Sequence, residues 1–340
     1  MSGEIEERAG VKVTNLDQEL FDGAGASKRD LIDYLDAVQT RILPVLHDRP
    51  LSVLRIRPGQ PAFMQKNLPA YAPDWVARMP IWADASRREV TYALGNDWRT
   101  LLWFANQRAV EYHVTLFGRE HPERPDFLVM DLDSPEGAPF SVVVAAAQLV
   151  RAALEQSGLV GAVKTSGAKG LHLFVPLGGD VSWEDSAAAT RAVAARAERI
   201  DPVLATTAYV KAERGGKVFL DSTRAGGATV AAAYSPRIRP GLPVSFPLSW
   251  SHLDSVTPGD FTVRTAPDLL GSGDPWAERL PPPQRLDPDL VAEGHTIPVA
   301  RVRAMHEGKR RARKAASAAE PPAAPGVAMV QQGRQGHVVD

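Results

Sequence analysis

Short apolar runs, separated by glycine, proline and acidic residues, dominate the middle of the chain. Residues 51–56 alternate between apolar and polar side chains, which predicts a strand. Residues 127–130 form a continuous apolar run that is typical of a buried strand, and the Ala- and Val-rich residues 139–157 predict a helix that ends at Gly158. Strand and helix patterns that alternate along one chain predict an α/β fold.

The same kinds of pattern continue on both sides of this region. Ser27 is a predicted N-cap for a helix over residues 28–46, and residues 98–112 predict another helix. A further helix is predicted to start at Ser182, which forms a capping-box pattern with Asp185, and to end near residue 200. The other predicted strands are residues 11–13, 160–165, 171–176, 217–221 and 228–233.

The composition narrows the class of protein. The chain has 340 residues, of which 44% are hydrophobic and 23% are charged, as in an ordinary soluble globular protein. It contains no cysteine, which excludes disulfides, thiolate zinc sites and cysteine nucleophiles. The acidic residues 1–10 do not resemble a signal peptide, and no apolar run is long enough to span a bilayer. A cytoplasmic protein without a membrane partner is therefore expected.

Charge is distributed unevenly along the chain. The formal net charge is −1, but residues 301–314 contain seven Lys or Arg residues against a single Glu, a local charge of +6. From about residue 315 the chain is rich in Ala, Pro, Gly and Gln, which predicts disorder. The expected organisation is a compact domain over residues 1–290 and a basic, disordered tail over residues 291–340. The tail is either a solvated linker or a non-specific contact for nucleic-acid phosphates.

Three aspartates follow apolar strand patterns at matching places. Asp131 and Asp133 end the strand that begins at residue 127, and their spacing puts both side chains on one face, with Cβ atoms roughly 6–7 Å apart. Asp221 follows the apolar run 218–220 in the same way. This arrangement favours a pair of Mg²⁺ or Mn²⁺ ions, because such hard cations prefer oxygen ligands. The alternative is that these Asp residues only begin turns.

A loop with two glycines separates the predicted strands at 160–165 and 171–176. Ser166, Lys169 and His172 surround these glycines, which allow the backbone to approach a phosphate closely. The spacing is not that of a Walker A loop. Arg237 and Arg239 are candidates to hold a γ-phosphate with their guanidinium forks, or are solvated loop arginines. Together with the carboxylates, these residues predict a two-metal nucleotidyl-transfer site.

Taken in order, the motifs resemble the polymerase domain of bacterial ligase D and its stand-alone relatives, in the archaeo-eukaryotic primase superfamily. The resemblance extends from about residue 11 to 280 and is strongest at residues 127–133, 164–176, 218–221 and 231–250. It implies an α/β (α+β) primase-polymerase core with mixed β-sheets flanked by helices. It also implies a template-directed polymerase that uses Mn²⁺ or Mg²⁺ and often inserts ribonucleotides in DNA gaps or at broken ends.

The resemblance also implies roles for individual residues. Asp131, Asp133 and Asp221 would be the catalytic metal ligands. The residues implied to bind the NTP or dNTP are Ser166, Lys169, His172, Arg237, His113 and Phe63. Lys28 and Lys66 are the implied DNA contacts. The implied partners are gapped or broken DNA, nucleoside triphosphates and a separate ligase or end-binding protein, for a monomeric enzyme associated with the bacterial nucleoid.

Some positions depart from the family pattern. The third motif often continues as Asp-Trp-Ser-Gln, whereas residues 221–224 read Asp-Ser-Thr-Arg. Phe63 is followed by methionine rather than by a second aromatic residue. Gln18 replaces a lysine of the template-binding surface, which leaves the 5′-phosphate grip incomplete. No Lys-x-Asp-Gly adenylation motif occurs, so a polymerase without a ligase module is expected.

Two other interpretations compete with the polymerase hypothesis. In a phosphatase of the haloacid-dehalogenase type, Asp131 would be the nucleophile and Asp133 the acid/base, with Ser166 and Lys169 downstream. Pro135 stands where such enzymes usually have Thr or Val, and a late acidic pair is missing. A catalytically inactive DNA-end-binding module would have little reason to keep three costly carboxylates. The polymerase remains the favoured hypothesis.

Overall fold

The fold consists of two β-sheets with helices packed against them. A computed structural model describes residues 5–57, 59–83, 87–225 and 228–299, and the described residues up to Pro298 form one compact unit. The strands are β1 (Glu6–Arg8), β2 (Val11–Val13), β3 (Pro50–Arg57), β4 (Gln60–Gln65), β5 (Arg78–Ala83), β6 (Arg88–Leu94), β7 (Ala109–Val114), β8 (Phe127–Asp133), β9 (Ala162–Thr165), β10 (Leu171–Pro176), β11 (Ala205–Thr206), β12 (Val218–Asp221), β13 (Val230–Ala231) and β14 (Pro247–Leu248). The α-helices are α1 (Lys28–Ala37), α2 (Gln39–Leu46), α3 (Trp98–Asn106), α4 (Phe140–Gln156), α5 (Trp183–Ile200), α6 (Ala266–Leu269), α7 (Pro275–Arg279) and α8 (Pro288–Thr296). Short 3-10 helices are Lys211–Glu213, Thr223–Ala225, Trp250–Ser255 and Pro258–Asp260.

The two sheets differ in topology. The first sheet has the order β11-β12-β8-β10-β9-β14, in which β11 and β12 are parallel and the other neighbours are antiparallel. The second sheet has the order β13-β7-β3-β6-β5, with β4 paired to β3, and its pairs are antiparallel. β1 and β2 form a separate antiparallel pair. This architecture confirms the predicted mixed α/β fold.

Strand β8 occupies an inner position of the first sheet, between β12 and β10. Its apolar side chains, Leu128, Val129, Met130 and Leu132, are at most 1% exposed. Helices α4 and α5 contact this strand and each other. Burial of each large apolar side chain contributes about 1.5–3 kcal/mol, so the strand is firmly anchored in the core. The two aspartates at its end are therefore held by a rigid element.

The turn between β9 and β10 requires its glycines. Gly167 has a φ of +71°, which an L side chain rarely adopts, and a Cβ there would collide with Arg237. A Cβ at Gly170 would collide with the carbonyl oxygen of Leu132 on the neighbouring strand. The two glycines thus bring the turn close to β8 and to the Arg237 loop.

The predicted helix over residues 98–112 is wrong in its second half. Helix α3 ends at Asn106, and Arg108 has a φ of +60°, which reverses the chain. Residues 109–114 form β7, which pairs with β3 and β13. Tertiary pairing in the second sheet therefore overrides the helical pattern. As a result, Glu111 and His113 lie on one face of a strand.

The predicted helix over residues 28–46 is divided into α1 and α2. Ser27 caps α1 with a reciprocal capping box, as predicted. Val38 ends α1 with non-helical backbone angles (φ −104°, ψ 5°) and is fully buried. The break allows both short helices to bury apolar residues, of which Leu35 and Ile42 are fully buried. The predicted strands at 160–165 and 228–233 are shorter in the structure, at Ala162–Thr165 and Val230–Ala231.

The predicted boundary between residues 290 and 291 falls inside α8. Asp287 caps this helix, Leu290 is buried, and Glu293 accepts hydrogen bonds from Arg196 and Arg199 on α5. The compact unit therefore continues to Pro298. The basic segment at 301–314 and the rest of the predicted tail lie outside the described residues. None of the helices in the described ranges combines the length and the hydropathy that a membrane-spanning helix needs.

Candidate active site

Four titratable side chains form one row across the first sheet. Asp221 on β12 pairs in register with Asp131 on β8, Asp131 pairs with His172 on β10, and His172 pairs with Lys164 on β9. Side chains that are opposite each other in antiparallel strands are about 5 Å apart at Cβ. Asp133 lies two residues along β8 from Asp131. The structure thus brings the three predicted carboxylates together at one place in the sheet.

The three carboxylates have different surroundings. Asp131 and Asp221 are buried, whereas the side chain of Asp133 is 50% exposed. Burial opposes ionisation of Asp131, but His172 and Arg224 hold the pKa of this carboxyl well below its usual range. Burial and the negative charges of Asp131 and Asp221 raise the pKa of Asp133. Asp133 is therefore the carboxylate with the least compensated charge.

Arg224 stands against two of the carboxylates. Its Nη2 atom lies 2.6 Å from Oδ2 of Asp131, and its Nε atom lies 3.4 Å from Oδ2 of Asp221. Thr223 donates two hydrogen bonds to the other oxygen of Asp221, at 2.8 Å from the backbone N–H and at 2.6 Å from the hydroxyl. In the sequence, Arg224 is notable only because it departs from the third motif of the family. Its spacing of three from Asp221, within a 3-10 turn, is the signal that it points back to the same place.

Lys164 fixes the orientation of His172. The Nζ atom of this fully buried lysine contacts Nδ1 of His172 at 2.8 Å and also donates to the carbonyl oxygen of Ala231 at 2.9 Å and to Oγ of Ser245 at 2.6 Å. Burial and the charge of Lys164 lower the pKa of His172 to about 4, so the imidazole is neutral near pH 7. The Nε2 atom faces Oδ1 of Asp131 at 3.3 Å, and a proton on Nε2 suits this contact because the carboxylate is an acceptor.

Four of the predicted phosphate-binding residues meet Asp131 and Asp133 in one cleft. The cleft has a volume of about 630 Å³. Its lining residues with titratable or hydroxyl side chains are Asp131, Asp133, Ser166, Lys169, His172, Arg224, Arg237, Arg239 and Thr262. Oγ of Ser166 accepts hydrogen bonds from the backbone N–H groups of Ala168 and Gly170, both at 3.2 Å, which closes the turn. Ser166, Lys169, His172 and Arg237 thus share one wall of the cleft.

Glu111 contacts both His113 and Arg237. The sequence motifs did not identify Glu111 as a candidate site residue. One of its oxygens accepts from Nε2 of His113 at 2.8 Å and from Nε of Arg237 at 2.9 Å, and the other accepts from the backbone N–H of Ile238 at 2.8 Å. Arg237 also donates to the carbonyl oxygen of Ser166. Burial would raise the pKa of Glu111, but His113, Arg237 and Ile238 lower it to about 2. The i, i+2 spacing on β7 is the sequence signal for the first of these contacts.

The remaining predicted residues lie apart from the cleft lining. Phe63 is on β4, and the guanidinium of Arg57 lies 4.4 Å from its ring centre. Lys66 is exposed, just after the same strand. Lys28 is buried, and its Nζ atom donates to the carbonyl oxygen of Thr14 and to Oδ1 of Asn106, both at 2.6 Å. Burial and the charge of Arg108 lower the pKa of Lys28 to about 8.

As a metal site, the three carboxylates have suitable ligand atoms, but their arrangement in this structure is not that of a metal-binding group. The oxygens of Asp131, Asp133 and Asp221 are the ligands that Mg²⁺ and Mn²⁺ prefer. Across the described ranges, however, no group of three His, Cys, Asp or Glu side chains is arranged so that it could hold a metal ion. The guanidinium of Arg224 contacts one carboxylate oxygen of Asp131 and one of Asp221. The carboxylates therefore match divalent cations by ligand type, and in this structure Arg224 occupies one oxygen each of Asp131 and Asp221.

Comparisons with known proteins agree with the motifs. Residues 27–276 match the family model of the LigD primase-polymerase domain. The chain is 36% identical over 255 residues to the multifunctional non-homologous end joining protein LigD of Mycobacterium bovis, which covers 72% of this chain and 33% of that protein. It is 34% identical over 265 residues to the bifunctional non-homologous end joining protein LigD of Bacillus subtilis, which covers 76% of this chain and 42% of that protein. The chain thus spans about a third to two fifths of the length of these relatives.

A solved structure shows the same fold over most of the chain. The polymerase domain of Mycobacterium tuberculosis ligase D, in complex with DNA, superposes with a TM-score of 0.73 and 33% sequence identity. The match covers 81% of this chain and 98% of that domain. This match agrees with the mixed α/β fold and with the resemblance expected from the motifs. The chain belongs to the LigD primase-polymerase domain family.

Proposed function

We propose that this chain is a DNA-repair nucleotidyltransferase, a polymerase that adds nucleotides to a primer 3′-hydroxyl under the direction of a template. The observation that supports this proposal best is the single cleft in which Asp131 and Asp133 face Ser166, Lys169 and His172. Carboxylates beside a set of phosphate-binding groups are what phosphoryl transfer requires, because the reaction depends on positioning and on charge stabilisation. Membership in the family supports the same reaction class.

In the proposed reaction, the carboxylates of the site bind cations and the other polar side chains of the cleft bind the triphosphate. Asp131, Asp133 and Asp221 are the residues that would hold divalent cations. Such cations, when bound, activate a hydroxyl for attack and offset the charge of a leaving pyrophosphate. Lys169 brings positive charge to the β- and γ-phosphates, and His172 lines the cleft beside them while its Nε2 atom contacts Asp131.

Arg237 completes the proposed grip on the triphosphate. Its Nε and Nη1 atoms are held by Glu111 and by the carbonyl oxygen of Ser166, while the side chain lines the cleft. A guanidinium that is held in this way loses little freedom when it meets a phosphate. We place His113 beside Arg237 at the edge of the nucleotide site, because both contact Glu111. Phe63 remains a proposed contact for the nascent base pair.

The proposed DNA substrate is a short gap or a broken end. The M. tuberculosis structure is a complex with DNA, and the named relatives are end-joining proteins. Arg108 donates to Oε1 of Gln18 at 2.7 Å and lowers the pKa of nearby Lys28 through its charge. Arg108 is therefore the cation beside Gln18, whereas Lys28 is buried and its ammonium is bound by Thr14 and Asn106. We assign Arg108 to a DNA phosphate, with Lys28 as its buried support, Lys66 as a further contact and a separate ligase as the partner that seals the product.

Primer extension on a gapped template tests the proposed function. A labelled primer with a one-nucleotide gap is incubated with Mn²⁺ or Mg²⁺, with rNTPs and dNTPs in parallel. The proposal predicts templated addition that requires the metal, is faster with rNTPs, and is lost in the Asp131→Ala/Asp133→Ala variant. The variant Arg88→Ala, which alters an exposed side chain on β6 outside this cleft, should retain addition. Absence of templated addition by the wild type with either metal would contradict the proposal.

An inactive DNA-end-binding module is the second candidate function. The observation that favours it is the ion pair of Arg224 with Asp131 and Asp221, which closes the oxygens that a metal would need. This candidate predicts binding to gapped DNA without any extension, and equal binding by the Asp131→Ala/Asp133→Ala variant. A phosphatase is disfavoured, because Asp131, its required nucleophile, is buried and paired on both sides.

A further inference from the structure

Arg224 places one positive charge where the proposed metal site needs two cations. Its guanidinium contacts Oδ2 of Asp131 on β8 and Oδ2 of Asp221 on the adjacent strand β12. Its side chain is 32% exposed, so one side of the guanidinium faces the cleft, which it also lines. Its buried Nε atom makes no hydrogen bond of good geometry to a described residue. The contact is therefore an ion pair with an opening toward solvent rather than a fully satisfied structural bridge.

Other contacts at the site are arranged so that Arg224 can leave without disturbing the carboxylates. Asp221 keeps the two hydrogen bonds from Thr223, which use the oxygen that Arg224 does not contact. Asp131 keeps its contact with Nε2 of His172 through Oδ1, whereas Arg224 uses Oδ2. One oxygen of each aspartate is thus fixed by the protein, and among the described residues the other is held by Arg224 alone. These two oxygens are the ones that a divalent cation would take over.

We propose that Arg224 is a displaceable counter-ion of Asp131 and Asp221, which a divalent cation must replace, and that it therefore sets the metal concentration that the site requires. The inference rests on the proposed metal-dependent function. A guanidinium and a divalent cation cannot both occupy the space between two carboxylates, because their charges repel at such distances. Because a metal ion must first break this ion pair, the net free energy of metal binding is less favourable by the free energy of the ion pair. Removal of the guanidinium charge should then strengthen metal binding.

Direct metal titration tests the inference without reference to catalysis. Free Mn²⁺ is followed by electron paramagnetic resonance in the absence of nucleotide and DNA, for the wild type and for Arg224→Gln. The expected result is a dissociation constant about tenfold lower for Arg224→Gln, a typical coupling between two sites. Arg224→Lys, which keeps the charge, should bind Mn²⁺ no more tightly than the wild type. Arg239→Gln removes the same charge from the same cleft away from the carboxylates, so it should change the constant by less than about twofold.

The outcomes separate this inference from the proposed function. Asp221→Asn is titrated in parallel and should lose the tight Mn²⁺. If Asp221→Asn loses the ion but Arg224→Gln binds it no more tightly than the wild type, the inference is overturned and the metal site stands. If Mn²⁺ binding is absent, or is unaffected by Asp221→Asn, both the metal site and the inference are overturned.

A stability measurement keeps the test valid if Arg224→Gln is less well folded. Without metal, this variant should melt at a lower temperature than the wild type, because two buried carboxylates then lack their partner. With excess Mn²⁺, its melting temperature should rise by more than that of the wild type, because tighter binding stabilises the native state more. An equal rise in both proteins would contradict the inference.

Discussion

Two acidic clusters contribute to the cleft, one through Arg237, which Glu111 holds, and one through Asp131 and Asp133, and their charges are compensated to different degrees. Around Glu111, one carboxylate receives three hydrogen-bond donors, from His113, Arg237 and Ile238. Around Asp131, three carboxylates face two guanidinium groups, Arg224 at Asp131 and Asp221 and Arg214 at 4.0 Å from Asp133, while the imidazole of His172 contacts Asp131. The first cluster is fully compensated and acts as a support. The second has an excess of negative charge, which is the property of a site that takes up cations.

The pKa values show the same difference. Glu111 has a pKa of about 2, because its partners stabilise the charged form more than burial opposes it. Asp133 has a raised pKa, because burial and two neighbouring carboxylates destabilise its charged form. A group that destabilises the native state without a ligand is kept for function rather than for folding. The comparison therefore assigns support to Glu111 and cation binding to Asp133.

The largest expected effect comes from neutralising Asp133. Asp133→Asn should reduce primer extension by about a thousandfold, because the site then lacks one charge needed in the transition state. The same variant should melt at a higher temperature than the wild type in the absence of metal, since a group with a raised pKa destabilises the folded protein at neutral pH. Primer extension and thermal melting measure the two effects.

The matched control is Asp22→Asn, which removes one charge from an exposed position. It should leave both extension and melting temperature unchanged. A destabilised Asp133→Asn protein would contradict the assignment of Asp133 as an uncompensated carboxylate.

Neutralising Glu111 should break the supporting cluster. Glu111→Gln should raise the KM for the incoming nucleotide about 100-fold with a smaller effect on kcat, because Arg237 and His113 lose the group that orients them. The variant should also unfold more easily, by about 3 kcal/mol, since a buried charge of Arg237 is left unpaired. Steady-state kinetics and urea unfolding measure these changes.

The variant Glu89→Gln, on the exposed edge of β6, provides the control and should match the wild type. A variant Glu111→Asp, which keeps the charge, should recover part of the nucleotide affinity. An unchanged KM in Glu111→Gln would show that Glu111 supports only the fold.

Lys164 is expected to have a smaller effect on the reaction. Lys164→Met should slow extension about tenfold, because His172 is no longer held with its proton on Nε2. The ¹⁵N chemical shifts of His172 report the tautomer directly. The Nε2–H form should dominate in the wild type and should lose its dominance in the variant. The same tautomer population in both proteins would refute the role of Lys164.

The smallest effect is a pH dependence of stability that arises from Glu111. Its pKa is lowered from 4.5 to about 2 in the folded protein, so the stabilisation that it provides is present above pH 4.5 and is lost as the pH falls toward 2. Between pH 5 and pH 2.5 the wild type should therefore lose about 2 kcal/mol more unfolding free energy than Glu111→Gln. Urea unfolding at pH 5 and pH 2.5 measures this difference, and parallel pH profiles for the two proteins would contradict it.

Several features of the fold and the cleft could be predicted from the sequence because their signals are local. The apolar run at residues 127–130 predicts the strand that carries Asp131, and the glycines at 167 and 170 predict a tight turn. The polar residues of that turn line one cleft together with the carboxylates, as the motifs suggested. A local signal is sufficient where a strand end or a turn fixes the side chain.

The missed features depend on contacts between distant segments. Residues 109–112 have a helical pattern but belong to β7 and pair with β3, which lies far away in the sequence. Glu111 becomes important only because Arg237, 126 positions away, reaches it. The same holds for Arg224, whose nearest oxygen belongs to Asp131, 93 positions away. Patterns within a short window carry no information on such pairs.

The most direct test of the account is a crystal of this protein soaked with Mn²⁺ and a non-hydrolysable nucleoside triphosphate. The proposed function predicts anomalous peaks about 2 Å from oxygens of Asp131, Asp133 and Asp221, with Arg224 turned away from Asp131 and Asp221. It also predicts the triphosphate against Ser166, Lys169, His172 and Arg237. An ion-free carboxylate cluster that still holds Arg224, with the nucleotide elsewhere or absent, would contradict the account.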